Sequence, residues 1–175
     1  MQLKSLTRLG PIAVAFAIAA LILGTTAQRI FSGLKEAPEV RFSTLKGELV
    51  NMSDLRGKVV LINFWATSCA PCVKEMPQLA STWDKYNGRG FETIAVAMEY
   101  DPPRLVRDFV ERFKLPFHIA FDTRGEIAKR FGDVKAIPAT FVIDRRGRII
   151  FSRLGEIEFD KLLPLLDGAL AEPAS

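Results

Sequence analysis

Two cysteines separated by two residues, placed where an apolar strand turns directly into a helix, constrain this chain more than any other feature in it. They are Cys69 and Cys72, the only cysteines among its 175 residues. Before them, Val59-Val60-Leu61-Ile62-Asn63-Phe64-Trp65 is a nearly unbroken run of strand formers, the pattern of a strand covered on both faces of a sheet. After them, Cys72, Met76, Leu79, Trp83 and Tyr86 recur at steps of four, three, four and three. That spacing predicts one helical face, with Lys74, Glu75, Gln78, Asp84 and Lys85 falling elsewhere. Cys69 is then at the helix N-terminus and Cys72 one turn in.

The placement has a chemical consequence. Unpaired backbone N–H groups and the positive end of the helix dipole favour a thiolate at Cys69. A free cysteine with a pKa of about 8.5 is a few per cent ionised at neutral pH, and a downward shift of about 1.5 units makes it roughly half ionised. Cys72, on the core-facing stripe, is placed to attack a mixed disulfide formed by Cys69 and release the partner reduced. Pro71 suits the first helical turn, where a missing N–H costs nothing.

Other uses of two cysteines fit less well. A structural zinc site needs about four ligands, and one cysteine pair with the single His118 does not supply them. A purely structural disulfide closing so short a loop constrains little of the unfolded chain. A pair of inert core cysteines leaves the strand-to-helix placement unexplained. Dithiol chemistry is therefore the expectation, with no metal and no bound cofactor required.

The stretch from Leu55 to Pro77, Leu-Arg-Gly-Lys-Val-Val-Leu-Ile-Asn-Phe-Trp-Ala-Thr-Ser-Cys-Ala-Pro-Cys-Val-Lys-Glu-Met-Pro, resembles the opening of thioredoxin-fold proteins of the TlpA/ResA type, bacterial membrane-anchored thiol-disulfide oxidoreductases. Far from it, Ile137-Pro138-Ala139-Thr140-Phe141-Val142-Ile143-Asp144 is similar to that family's cis-proline strand, and Pro77 to its helix-kinking proline. The resemblance spans roughly residues 39–170. It implies an α/β thioredoxin-like fold with an N-terminal β-hairpin and a central insert, preceded by a transmembrane helix. It also implies a client groove in which Trp65, Ser68, Ala70, Pro71, Ile137 and Pro138 contact the bound peptide. Many relatives have an aromatic residue just before the first cysteine; this chain has Ser68.

At the start of the chain, Lys4 and Arg8 precede the apolar run Leu9 to Ala27, and no acidic residue occurs before Glu36. As a helix that run spans about 29 Å, close to the ~30 Å hydrocarbon core of a bilayer. The basic leading side predicts a cytoplasmic N-terminus and an exported domain, with Arg29 a weak counterweight. Residues 1–29 read as a retained anchor; Thr25 and Ala27 are also small residues of the kind that precede a signal-peptidase cut, which is the alternative. Residues 30–38 read as a tether, 39–171 as the folded domain and 172–175 as a tail.

The formal net charge of +4 does not mark a nucleic-acid binder. Three of the 24 basic residues lie in the first 29 positions, leaving 21 against 20 acidic residues in the rest. No basic stripe with interleaved aromatics is present, so nucleic acid is not an expected partner.

Along the domain, Val40-Arg41-Phe42 and Glu48-Leu49-Val50 flank Lys46-Gly47 as a hairpin capping a sheet edge, and residues 51–57 give a turn or a single helical turn. Phe91 to Met98 is a second core strand, parallel to the first by the right-handed crossover rule. Asp101-Pro102-Pro103 reads as an N-cap launching a helix with Leu105, Val106, Phe109, Val110 and Phe113 inward. A strand at Phe117 to Ala120 and a helix at Glu126 to Phe131 complete the insert that the resemblance implies. Residues 139–143 and 148–152 flank Asp144-Arg145-Arg146-Gly147 as a hairpin, and a final helix contains Ile157, Phe159, Leu162, Leu166 and Leu170, with Pro164 limiting or kinking it.

Three polar residues near these elements have ordinary readings beside functional ones. His118 reads as a strand residue with a satisfied ring. Glu99, ending a strand at the active edge, is a candidate for proton exchange with Cys72, against the plainer reading of a solvated turn residue. Lys74 and Glu75 read as exposed helix surface, Lys74 adding at most slightly to thiolate stabilisation.

The resemblance implies a periplasm-facing disulfide reductase in the bacterial inner membrane. Its partners would be protein disulfides, such as cysteine pairs of apocytochrome c or of a copper-site protein, with electrons supplied by a membrane thiol reductase of the DsbD or CcdA kind. Two other functions stay open. A thiol peroxidase of the peroxiredoxin kind would attack peroxide with Cys69, although its usual proline and threonine, seven and three residues earlier, are here Ile62 and Ala66. A metallochaperone or client-binding module would use the two sulfurs without turnover.

Overall fold

The computed structural model describes residues 35–173. The apolar amino-terminal run, with Lys4, Arg8, Thr25, Ala27 and Arg29, lies outside the described residues. Within those described, the elements are β1 (Arg41–Ser43), β2 (Leu49–Asn51), β3 (Val59–Trp65), α1 (Ala70–Tyr86), β4 (Phe91–Ala97), α2 (Pro103–Phe113), β5 (His118–Phe121), α3 (Glu126–Arg130), β6 (Ala139–Ile143), β7 (Ile149–Leu154) and α4 (Phe159–Ala171). Among these residues no helix is long and apolar enough to cross a membrane.

A five-stranded sheet in the order β5-β4-β3-β6-β7 organises the rest. β3 is parallel to β4 and β4 to β5, while β6 runs antiparallel to both β3 and β7. All seven residues of β3 are buried because the sheet is covered on both sides. The strand's period of two divides them. Val59, Leu61 and Trp65 join Cys72, Met76 and Leu79 of α1 and Leu162 and Leu166 of α4. Val60, Ile62 and Phe64 pack on the other face with Phe42, Ile127 and Phe131. This is the thioredoxin-like α/β arrangement, with β5 of the insert lengthening the sheet at one edge.

The amino-terminal hairpin covers the β5 edge. β1 and β2 pair antiparallel around a turn in which Gly47 takes φ +81°. Past β1, Thr44 bridges Ala120, and Leu45 N–H donates to Ile119 C=O at 2.7 Å. Backbone groups on an edge strand are otherwise open to pairing with another chain.

Several boundaries and faces differ from the sequence expectations. Lys35 and Ala37, within the stretch read as a tether, bond to the β6–β7 hairpin: Ile149 N–H donates to Lys35 C=O at 2.8 Å and Ala37 N–H to Gly147 C=O at 2.9 Å. α2 contacts the core along the narrow line of Val106, Phe109 and Val110. Leu105 is 49% exposed and Phe113, stacked on Phe109 with 4.3 Å between centroids, is 44% exposed. Asp101 does not cap this helix. Pro102 takes the cap position without a side-chain bond, and the Asp101 carboxylate turns elsewhere. Ile157 precedes α4, and Pro164 sits within that helix without ending it.

Candidate active site

At the carboxyl end of β3 the chain must leave a fully buried strand and start a helix within a few residues. Cys69 provides the junction as the N-cap of α1, with extended backbone (φ −91°, ψ 99°) and Pro71 in the first turn. Its carbonyl accepts the first helical bond from Val73 N–H at 3.0 Å, and its sulfur accepts from Cys72 N–H at 3.3 Å. The two sulfurs are bonded to each other, with Cα atoms 5.2 Å apart. Cys69 is half-buried, whereas Cys72, on the inner face of α1, is fully buried.

Because β3 and β4 are parallel and β6 is antiparallel to β3, one sheet edge collects the end of β3, the β4–α2 connection, the residues before β6 and those after β7. Open α/β sheets place their binding sites at such carboxyl edges. The Ile137–Pro138 peptide there is cis. Pro138 is buried, Ile137 is half-buried, and Pro138 C=O accepts from Gly155 N–H at 2.8 Å. Ser68 and Ala70 are exposed on either side of Cys69, and Pro71 is half-buried. Trp65 lies elsewhere: it is fully buried with its ring 5.2 Å from that of Phe109. Its side chain therefore supports the edge from within and does not reach a client surface. An open groove of about 380 Å³ adjoins the cis peptide, lined in part by Phe131, Val134, Ala136, Phe141 and Leu154.

The sequence reading placed Glu75 on the exposed face of α1, and here the structure corrects it. Glu75 is 3% exposed. Three residues beyond Cys72 and four before Leu79, it shares their helical stripe, a relation legible in the spacing. Its Oε1 accepts from Asn63 Nδ2 at 2.8 Å, and its Oε2 from Ile157 N–H at 3.1 Å. Asn63 also donates to Thr140 Oγ1 at 3.0 Å. Burial raises the Glu75 pKa above the ordinary carboxylate value, and those two donors offset part of the effect. A polar Asn63 in the middle of a buried strand was the signal that a polar partner had to lie opposite.

The remaining candidates take quieter places. Glu99 is exposed, and its carboxylate sits over Gly125, the N-cap residue of α3. Lys74 is exposed and its ammonium meets Glu156 at 2.8 Å, a bond that raises its pKa. His118 lies on β5 with Nδ1 3.5 Å from Glu48 and Nε2 3.9 Å from Glu92. Among the described residues no group of three or more His, Cys, Asp or Glu is arranged to hold a metal ion.

A vicinal cysteine pair, one sulfur accessible and one buried, at the helix-start edge of a thioredoxin-like sheet and sharing that edge with a cis-proline, defines a thioredoxin-fold thiol-disulfide oxidoreductase. Comparison with known proteins agrees. Residues 34–163 match the model of the Redoxin family, and the chain belongs to that family. It is 39% identical over 122 residues to the thiol-disulfide oxidoreductase ResA of Bacillus thuringiensis subsp. konkukian, covering 70% of this chain and 69% of the relative. Among solved structures it is similar to a thioredoxin-like protein of Neisseria meningitidis (37% identity, TM-score 0.72, 77% of this chain and 90% of the other). It is also similar to a DsbE-type thiol:disulfide interchange protein of Chlorobium tepidum (31%, 0.72, 79% and 97%). The resemblance to the TlpA/ResA type is thereby borne out.

Proposed function

We propose that the chain is a disulfide reductase for exported proteins, held to the bacterial inner membrane by residues 1–29 with the domain facing the periplasm. The observation that carries the reading is the Cys69–Cys72 pair, its outer sulfur at the helix N-cap and its inner sulfur fully buried. In the reduced protein, the Cys69 thiolate attacks one sulfur of a client disulfide, and the other client sulfur leaves as a thiolate. The Cys72 thiolate then attacks Cys69 Sγ and expels the second client sulfur. Two electrons pass to the client, and the Cys69–Cys72 disulfide remains.

Cys72 must lose its proton before it can attack, and a buried thiol resists ionisation. Glu75, one turn further along the same stripe, is in our reading the acceptor of that proton, a role for which Glu99 is less well placed. The cis-proline edge, with Ser68, Ala70, Pro71, Ile137 and Pro138, holds the client, and the adjoining groove suits an extended peptide. A membrane thiol reductase of the DsbD or CcdA kind returns the two electrons.

The test is trapping in the living cell. Cys72→Ser is expected to accumulate mixed disulfides through Cys69, identifiable by mass spectrometry, and Cys69→Ser is not. Equal trapping by both variants would refute the assignment of nucleophile. Equilibration of the purified protein with glutathione buffers tests direction, and a potential as high as that of a dedicated disulfide donor would overturn the reductive reading.

A further inference from the structure

Asp101 is 4% exposed, and its helix does not use its carboxylate. Both of its oxygens turn to one residue of the β3–α1 loop. Oδ2 accepts from Thr67 N–H at 2.6 Å, and Oδ1 accepts from the Thr67 hydroxyl at 2.6 Å. The same two segments are joined again one step back, where Met98 N–H donates to Trp65 C=O at 3.0 Å. Asp101 N–H closes its own turn onto Met98 C=O at 3.0 Å. Thr67 is two residues before Cys69, and the intervening Ser68 is exposed. Cys69 N–H donates to the C=O of buried Ala66 at 3.1 Å, closing a turn around Thr67 and the exposed Ser68, so what holds Thr67 helps to set the position of Cys69.

The geometry points to Asp101 as a positioning residue for the dithiol: by gripping Thr67 at both its backbone and its hydroxyl, it keeps the loop where the Cys69 sulfur meets the N-terminal amides of α1. Charge-assisted bonds to a buried carboxylate are the strong kind, and two of them on one residue fix orientation as well as distance. The inference builds on the proposed role of Cys69 as nucleophile but not on any client. With the grip lost, the loop moves more freely, the sulfur spends less time against the α1 amides, and its thiolate is less favoured.

The test uses the full-length reduced chain and reads Cys69 directly, by the pH dependence of its alkylation with iodoacetamide, mapped by mass spectrometry. Thr67→Val keeps the side-chain shape and removes the hydroxyl. Its alkylation profile is expected to move to higher pH, with a loss of rate at neutral pH of up to about tenfold if the thiolate pKa rises by about one unit. Thr67→Ser, which keeps both donors, is expected to match the wild type. Asp101→Asn can still accept from Thr67 N–H and can donate to the Thr67 oxygen, so it should stay near the wild type, whereas Asp101→Ala should shift at least as far as Thr67→Val.

The neighbouring titratable groups, Lys74 and Glu75 on α1, Glu99 and Tyr100 before α2, Lys135 ahead of the cis-proline and Glu156 after β7, are unchanged in all four variants. A loss of thermal stability in Thr67→Val with an unmoved alkylation profile would mean a structural bond only and would overturn the proposal. So would Asp101→Asn and Asp101→Ala moving the profile together to lower pH, since loss of the carboxylate's field and not of its grip would then be at work. If the wild-type chain reduced no protein disulfide yet the profiles shifted as described, the proposed function would fail and this inference would stand.

Discussion

Asn63 and Glu75 face each other across the closed space between the central strand and the first helix, joined by a 2.8 Å hydrogen bond from Nδ2 to Oε1. A carboxyl group in that place titrates against its burial, and the consequence is a pH dependence of the fold. Its ordinary value is 4.5, and its value in the folded protein is higher. Between the two, the folded state binds more protons than the unfolded state, so stability is lost as pH rises through the folded value. Glu75→Gln removes this dependence. Urea midpoints of the oxidised protein, measured from pH 4 upward, should show the variant gaining on the wild type by at most about 1.4 kcal/mol per pH unit; parallel curves would mean that Glu75 ionises like a surface carboxylate.

Replacing Asn63 by Leu removes the donor and leaves Glu75 the poorer by one bond. The expected loss is about 1–3 kcal/mol, the usual cost of leaving a buried polar group without its partner. Because the two residues share one bond, the Asn63→Leu, Glu75→Leu pair should cost clearly less than the sum of the singles. Additive losses in denaturant titrations would show that the pair is not coupled.

Leu166 gives a control in the core. It is fully buried between α4 and the sheet. Leu166→Ala should destabilise the fold by about 2–5 kcal/mol through lost transfer energy and an unfilled cavity. Iodoacetamide labelling of the reduced protein should leave Cys69 as reactive as before.

Lys74 tests whether nearby surface charge matters. Its ammonium is exposed and already engaged by Glu156, in a setting where solvent and salt screen the field. Lys74→Gln should therefore leave the Cys69 alkylation rate within about twofold of the wild type. A larger fall would assign Lys74 a direct part in holding the thiolate.

The spacing of residues carried much of this. β3 follows from its uninterrupted apolar run and α1 from the recurrence of Cys72, Met76 and Leu79, since burial on both faces and on one stripe leaves a clear trace in sequence. The hairpin turn at Gly47 and the parallel pairing of β3 with β4 were equally readable. Glu75 was missed because a charge was assigned to the surface by type, although its position put it between Cys72 and Leu79. Asp101 was missed for a different reason. Asp before two prolines is an ordinary helix start, and only the folding of β4 alongside β3 reveals that its carboxylate has Thr67 within reach. The inward reading of Leu105 and Phe113 failed because a helix at the flank of a sheet touches it along a line narrower than its apolar face.

The bonds from Lys35 and Ala37 to Ile149 and Gly147 fix where the chain enters this domain. β6 runs opposite to β3, so its end and the start of β7 lie at the pole remote from Cys69, about 20 Å away along a seven-residue strand. Lys35 is thus bonded at the heel of the domain, a strand's length from the dithiol. A substitution at the Lys35 end and one at the dithiol therefore act on opposite ends of one sheet.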